Sequence, residues 1–269
     1  MYEVGRLRRI FEERKGELVL GTHIRSQDPF LSELLANVGF DVLWIENEHA
    51  LLDKAKTTLH VMAAQGAGAA AVVRVPWNDP VLIKPILETG VDGVVIPMIC
   101  TAEEARAAIA ACTYPPGGVR GMGPFRADNY GLVNTADYLA NADRQIFKIL
   151  QIEHINGVNN IESILDVPGI DAIIVGQFDL SGSLGILGQV YAPENLERIR
   201  TVFDACRRRG IHCGISSEPS RERIQMWVDM GVDFVFLCHE YEWVRNAAAA
   251  TLHMARQMKR KEESTCTSF

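Results

Sequence analysis

Short apolar, β-branched runs alternate with longer amphipathic runs along the chain. The apolar runs predict strands at 17–24, 41–46, 71–75, 93–98, 147–152, 172–175, 212–215 and 234–237. They are apolar at nearly every position, the pattern of strands covered on both faces in a parallel sheet. The runs between them predict helices at 30–38, 52–65, 80–88, 102–112, 158–165, 193–209, 220–230 and 243–259, with a further charged helix at 6–15. Ile199, Val202, Phe203 and Cys206 show the spacing of an apolar helix stripe.

Punctuation supports this reading. Gly39, Gly90, Gly169, Gly210 and Gly231 stand where C-terminal helix caps belong. Four strands are entered through a repeated Gly-X-Asp: Gly39-Phe40-Asp41, Gly90-Val91-Asp92, Gly169-Ile170-Asp171 and Gly231-Val232-Asp233. About eight βα units predict an α/β fold of the (β/α)₈ TIM barrel type rather than a doubly wound open sheet, for which no switch point is visible. The stretch 114–142 breaks the rhythm, with no clear strand, and is too long for an ordinary loop. Residues 259–269 are polar and expected to fray. No linker is visible, so 1–269 is expected to form a single domain.

Composition narrows the function. The chain has 269 residues and a net charge of −7, with no overall basic footprint for nucleic acid. Six cysteines, Cys100, Cys112, Cys206, Cys213, Cys238 and Cys266, form no C-x-x-C pair and are expected as reduced thiols. With no signal-peptide core and no membrane-length apolar run, a cytoplasmic protein is expected, without membrane partners.

In a parallel barrel, chemistry sits at the C-terminal ends of the strands. Those ends carry Glu46-Asn47-Glu48-His49, Arg74, Gln151-Ile152-Glu153-His154 and Gly176-Gln177-Phe178-Asp179. Glu153 and Asp179 are 26 residues apart (179 − 153), about one βα unit, so they stand on adjacent strands. Together they could hold a hard divalent ion such as Mg²⁺ or Mn²⁺, or each could cap a helix or pair with an arginine. His49 reads as a general base held by Glu46 or Glu48, or as a rim histidine. Arg74 reads as an oxyanion clamp or as the partner of these carboxylates. His154, His212 and His239 read as structural. A Schiff base needs a lysine in the mouth, but the lysines fall on helices or the tail, except Lys148 at the start of a strand.

With these residues in view, the sequence resembles the HpcH/HpaI family of class II, metal-dependent 2-oxo-acid aldolases from about Gly21 to about Ala248. The likeness is carried by Glu48-His49, Arg74-Val75-Pro76-Trp77-Asn78-Asp79 with Ile83-Lys84, Tyr114-Pro115-Pro116-Gly117-Gly118-Val119-Arg120-Gly121, Gln151-Ile152-Glu153, and Gly169-Ile170-Asp171 through to Asp179-Leu180. The resemblance implies a barrel binding Mg²⁺, Mn²⁺ or Co²⁺ through Glu153 and Asp179, with a pyruvate-like 2-oxo acid chelating the ion. It implies substrate contacts from Gln151 and the backbone around Phe178 and Asp179, an enolate stabilised by Arg74, and His49 as base. It also implies a homo-oligomer, a hexamer built as a trimer of dimers, with the last helix at a subunit contact.

The chain departs from the family pattern at several places. Glu46 and Glu88 stand where the family carries aspartates that support the histidine. Phe178 replaces a small residue, His23 a frequent tryptophan and Ser216 a frequent apolar residue. The enolate half is expected intact, and the half that meets the aldehyde, including Ser216, altered. The favoured reaction is cleavage or formation of 4-hydroxy-2-oxo acids, giving pyruvate and an aldehyde. Decarboxylation of oxaloacetate or a related lyase step is the alternative, and a non-catalytic oxo-acid-binding barrel a more distant one.

Overall fold

The computed structural model describes residues 5–258, so the predicted tail, with Cys266, lies outside the described residues. The strands are β1 (Val19–Ile24), β2 (Val42–Glu46), β3 (Ala70–Arg74), β4 (Gly93–Ile96), β5 (Phe147–Ile152), β6 (Ala172–Val175), β7 (His212–Ser217) and β8 (Phe234–His239). All neighbours pair in parallel and β8 returns to β1, closing a barrel in sequence order. This is the (β/α)₈ barrel that the repeat predicts.

The helix α1 (Arg6–Glu13) precedes the barrel, and α2 (Phe30–Val38), α3 (Lys54–Gly66), α4 (Pro80–Leu87) and α5 (Ala102–Cys112) follow the first four strands. Then come α6 (Thr135–Gln145), α7 (Ile155–Asn159), α8 (Ile161–Leu165), α9 (Gln177–Ser183), α10 (Pro193–Arg209), α11 (Arg221–Asp229) and α12 (Glu240–Gln257). Some of these differ from the pattern-based expectation. The helix expected at 158–165 is two short helices broken at Asn160, whose side chain donates to the Cys100 carbonyl. The polar α6 ends the irregular 114–142 stretch, and α9 is rich in serine and glycine; neither carries a clear apolar stripe. A capping box on His239 and Glu242 starts α12 three residues before the expected boundary.

Alternation along the strands divides the core. Val42, Trp44, Val72, Val95, Phe147, Ile149, Ile174, Phe234 and Phe236 fill the barrel interior. Leu43, Ile45, Val73, Val94, Ile173 and Val235 face the helices. Large and small residues interlock inside: a Cβ on Gly21 or Gly214 would fall 2.5 or 2.4 Å from the rings of Phe236 and Phe234.

The Gly-X-Asp repeat has a structural reason. Asp41, Asp92, Asp171 and Asp233 precede the even-numbered strands, and each carboxylate accepts a backbone N–H from the strand before. The donors are Leu20, Ala71, Lys148 and Cys213, at 2.9, 2.8, 2.8 and 2.9 Å. Helix α1 crosses this end of the barrel. Arg14 pairs with Asp41 at 2.8 Å, Arg6 lies 3.8 Å from Asp92, and Arg8 pairs with Asp171. His212 stands 3.5 Å from Asp233. Leu7 is buried and Phe11 stacks on Phe147.

Candidate active site

At the other end of the barrel, strand register assembles a charged cluster. Glu46 and Arg74, the last residues of β2 and β3, are register partners. Glu46 is 1% exposed. Its Oε2 accepts from Arg74 Nε at 2.8 Å and from Trp44 Nε1 at 3.0 Å, and its Oε1 accepts the backbone N–H groups of Glu48 and His49. Burial pushes this carboxyl up, but Arg74 and the two N–H groups outweigh it and hold it below the usual range. The Arg74 guanidinium lies over the Trp44 ring, with Nη1 2.9 Å from Glu48 Oε2 and donating to Gln151 Oε1 at 3.4 Å.

Glu46 therefore holds the His49 backbone rather than its ring. As an inward-facing strand residue paired with Arg74, it points into the barrel, whereas His49 lies beyond the strand end and is exposed. The carboxylate near the ring is Glu48, 3.8 Å from His49 Nε2. Glu48 Oε2 is buried without an aligned hydrogen-bond donor. Burial raises the Glu48 carboxyl, Arg74 and His49 offset this in part, and Glu46 and Asp179 add to it.

Adjacent strand ends bring Glu153, just after β5, towards Asp179 in the first turn of α9. Glu153 is 3% exposed. It accepts from the Met98 N–H at 2.8 Å and from the Gln151 amide. Met98 has a φ of +56°, a sparsely populated conformation for a non-glycine residue. A Cβ on Gly176 would fall 2.6 Å from Glu153 Oε2, so only glycine lets this carboxylate lie against β6. Burial raises the Glu153 carboxyl to about 7; the Met98 N–H opposes this, while Glu48 and Asp179 reinforce it.

Of these groups Arg74, His49, Gln151 and Asp179 line a cavity of about 260 Å³, together with His23, Arg25, Trp44, Phe178, Ser216 and His239. Phe178 is exposed at its edge. Ser216 Oγ lies 2.9 Å from His23 Nε2, and His23 stacks on His239 with ring centroids 4.8 Å apart. The His23 imidazole is held well below its ordinary value by burial, then by His239, Arg74 and Arg25. Arg25, Trp44 and the Met98 N–H are cavity or carboxylate partners that strand-end reasoning missed. Arg25 was legible as the first charged residue after β1. Trp44 reads from sequence as core, and a backbone N–H leaves no trace in side-chain identity.

Glu88 is placed elsewhere. It caps the C-terminus of α4, and the chain runs from there into the start of β4, away from the mouth. Its carboxylate pairs at 3.2 Å with Arg120, which is buried against Tyr114 and Tyr138, and no ion pair joins it to His49 among the described residues. The irregular 114–142 stretch supplies all three of these partners. Lys148 is also at that end, paired with Asp143 just before β5.

The sequence pattern of the HpcH/HpaI aldolase/citrate lyase family matches residues 20–239. A hydroxypyruvate/pyruvate aldolase of Chromohalobacter salexigens is 38% identical over 225 residues, which is 83% of this chain and 87% of that protein. A 5-keto-4-deoxy-D-glucarate aldolase of Salmonella paratyphi C is 38% identical over 208 residues, 77% of this chain and 80% of that one. The crystal structure of an HpcH/HpaI aldolase from Desulfitobacterium hafniense superposes with a TM-score of 0.88 at 28% identity, covering 96% of this chain and 98% of the other. A closed barrel with carboxylates, an arginine and a histidine gathered at one rim, and this likeness along its length, make the chain a carbon–carbon lyase that belongs to the HpcH/HpaI aldolase/citrate lyase family.

Proposed function

We propose that the chain is a class II pyruvate aldolase that cleaves or forms 4-hydroxy-2-oxo acids, with Mg²⁺, Mn²⁺ or Co²⁺ held by Glu153 and Asp179. The observation that carries this reading is the charge imbalance at the mouth. Glu46 and Glu48 share one guanidinium, Arg74, and the Glu153 carboxyl is raised to about 7 by burial, reinforced by the nearby carboxylates of Glu48 and Asp179. An all-oxygen donor set and the undonated Glu48 Oε2 fit a hard cation. No cluster of three or more metal-binding side chains gathers among the described residues, so substrate and water would complete the coordination.

When bound, the ion supplies Lewis-acid polarisation of the 2-oxo group. The chain's own residues do the rest. Gln151, fixed between Arg74 and Glu153, orients the 2-oxo acid beside Gly176 and the backbone of Phe178 and Asp179. Arg74, already rigid, faces the negative charge that develops as the C3–C4 bond breaks. His49 takes the proton from the 4-hydroxyl, with Glu48 beside its ring. The relatives' names favour aldol chemistry over decarboxylation.

Pyruvate release from a panel of 4-hydroxy-2-oxo acids and oxaloacetate, before and after chelation, tests the reading. Loss of turnover on chelation and recovery with a divalent ion are expected. Full activity after exhaustive chelation, or borohydride trapping of substrate on the protein, rejects it.

The same reading includes a homo-oligomer, with a hexamer as the first expectation. Residues 244–258 of α12 and its C-terminal edge are all exposed, among them Val244, Leu252 and Met254, although an eighth barrel helix ordinarily packs on its sheet. Light scattering that gives a monomer near 29.8 kDa rejects the oligomer. No helix among the described residues is long and apolar enough to cross a membrane. A cytoplasmic location fits the five unpaired cysteines among the described residues, Cys100, Cys112, Cys206, Cys213 and Cys238.

A further inference from the structure

Strand β4 leaves the barrel through a bulge. In the parallel β4–β5 ladder Ile96 pairs with Leu150. Continued unbroken, that register sets Met98 against Ile152 and gives the Gln151 carbonyl to the Met98 N–H. The N–H that takes this carbonyl, at 3.1 Å, is that of Ile99. The chain therefore carries one extra residue here, Met98, as in a β-bulge. Met98 sits at φ +56°, and its N–H, released from the ladder, donates to Glu153 Oε1 at 2.8 Å.

Both flanks of the bulge are pinned. Pro97 and Ile99 are buried. The Cys100 N–H donates to Glu104 at 2.7 Å, and the Cys100 carbonyl accepts from Asn160 at 2.8 Å. A left-handed conformation is costly for a residue with a Cβ and persists where the surroundings over-determine it. What it secures here is one carboxylate. The Gln151 side chain and the close approach of Gly176 hold Glu153 Oε2, and the Met98 N–H holds Oε1. Each oxygen thus has a fixed neighbour and keeps a further lone pair for a ligand. The Met98 side chain is not among the groups that line the mouth cavity, so what this residue gives the site passes through its backbone.

Resting on the reading of Glu153 as a metal ligand, we propose that Met98 is a positioning residue of the mouth: the bulge and its left-handed backbone fix the Glu153 carboxylate. The residue type at this position then acts through the backbone conformation it permits. Gly and Asn enter the left-handed region most readily, and β-branched Val and Thr do so at the highest cost. A packing role for the side chain predicts the opposite order, because Val keeps apolar volume that Gly and Asn lose.

The test titrates Mn²⁺ calorimetrically into metal-free wild type, Met98→Gly, Met98→Asn and Met98→Val at one pH. The Gly and Asn variants are expected within about threefold of wild type, and Met98→Val roughly 10- to 100-fold weaker, the cost of disturbing a group that orients a ligand. Met98→Thr takes the place of Met98→Val if the latter does not fold. Weak binding by the Gly and Asn variants with Met98→Val intact overturns the proposal, as does equal affinity in all of them. A metal-free double-mutant cycle separates this from the broader reading. The drop in denaturant midpoint caused by Met98→Val, or by Met98→Thr, should shrink in a Glu153→Ala background, where the backbone at this position is free to leave the left-handed region. Additive losses overturn the proposal. Coupling in the cycle without Mn²⁺ binding by wild type means the metal reading fails while the anchoring of Glu153 stands. Mn²⁺ binding that Glu153→Ala abolishes but that is indifferent to the residue at position 98 means the reverse.

Discussion

Around β2, β3, β5 and β6, the charged side chains hold one another: Glu46 takes Arg74 and two backbone N–H groups, Arg74 reaches Glu48 and Gln151, and Gln151 holds Glu153. Around β7, β8 and β1 the rim is a histidine stack, a serine and an arginine with no counter-ion. The first arc is pre-organised, with each group already oriented before substrate arrives, which suits stabilising charge at a fixed place. The second has hydrogen-bonding capacity left for whatever enters. One arc thus reads as the machinery for the pyruvate fragment, and the other as the place where the partner fragment is chosen.

Removing the hub of the tied arc should have the largest effect. Arg74→Ala is expected to lower both aldol cleavage and deuterium exchange at the pyruvate methyl group by roughly 10²–10³-fold, as for loss of an oxyanion donor. It should also destabilise the fold by about 3–5 kcal/mol, because the buried Glu46 loses its counter-charge. Denaturant midpoints and the two rate assays check this; intact exchange would show that the enolate does not need Arg74.

His49→Ala should split the two assays. Cleavage falls roughly 10²–10⁴-fold, the range for a positioned general base, while methyl exchange is largely spared and the denaturant midpoint stays near wild type. Equal losses in both assays would move the histidine from the 4-hydroxyl to enolisation itself.

Glu88→Ala sharpens the comparison from outside the mouth. It leaves Arg120 buried without its partner, so a loss of about 3 kcal/mol is expected with kcat near wild type. A collapse of kcat in a variant that still folds would mean that Glu88 reaches a mouth in a neighbouring copy.

The smallest effect is a linkage. The Glu153 carboxyl, raised to about 7, is protonated in the metal-free fold below that pH, whereas the unfolded chain ionises it near 4.5. The folded state binds more protons in this window, so this group's contribution to stability falls as pH rises from about 4.5 to about 7. A divalent ion displaces the same proton. Its affinity should rise by up to about tenfold per pH unit below 7 and level off above. Calorimetric titration of Mn²⁺ at about pH 6, 7 and 8 checks this; a flat profile removes Glu153 from the ligand set.

Much of this was legible in the chain. Strands buried on both faces announce themselves by unbroken apolar runs, and a charge directly after such a run marks a barrel mouth, which is how Glu46, Arg74, Glu153 and Asp179 come to attention. The Gly-X-Asp repeat was visible as a rhythm; its purpose, a side chain accepting a neighbouring strand's N–H, appears only once the strands are closed. Helices α6 and α9 hid because largely polar segments offer few apolar positions to mark a stripe: α6 buries only Tyr138 and Ala142. Family likeness drew Glu88 towards His49, but its partner Arg120 comes from a stretch without regular pattern, and such long-range pairing is invisible to local reading. Arg25, the first charged residue after β1, was legible by the same rule and was passed over.

The docking of α1 has a consequence for how the molecule is made. This helix leaves a ribosome ahead of every barrel strand, and Asp92 and Asp171, which receive Arg6 and Arg8, follow far behind; Arg8 and its aspartate are 163 residues apart. The closing bond of the ring, from the Val19 N–H to the Asp233 carbonyl, must wait for almost the whole chain. During synthesis the α1 segment therefore has an apolar pair, Leu7 and Phe11, with no surface to lie on, and at 8 residues it is too short to hold a helix alone. Contacts this distant in sequence form late and slowly. Protection of the α1 amides in pulse-labelled refolding should accordingly appear last, as the timestamp of barrel closure.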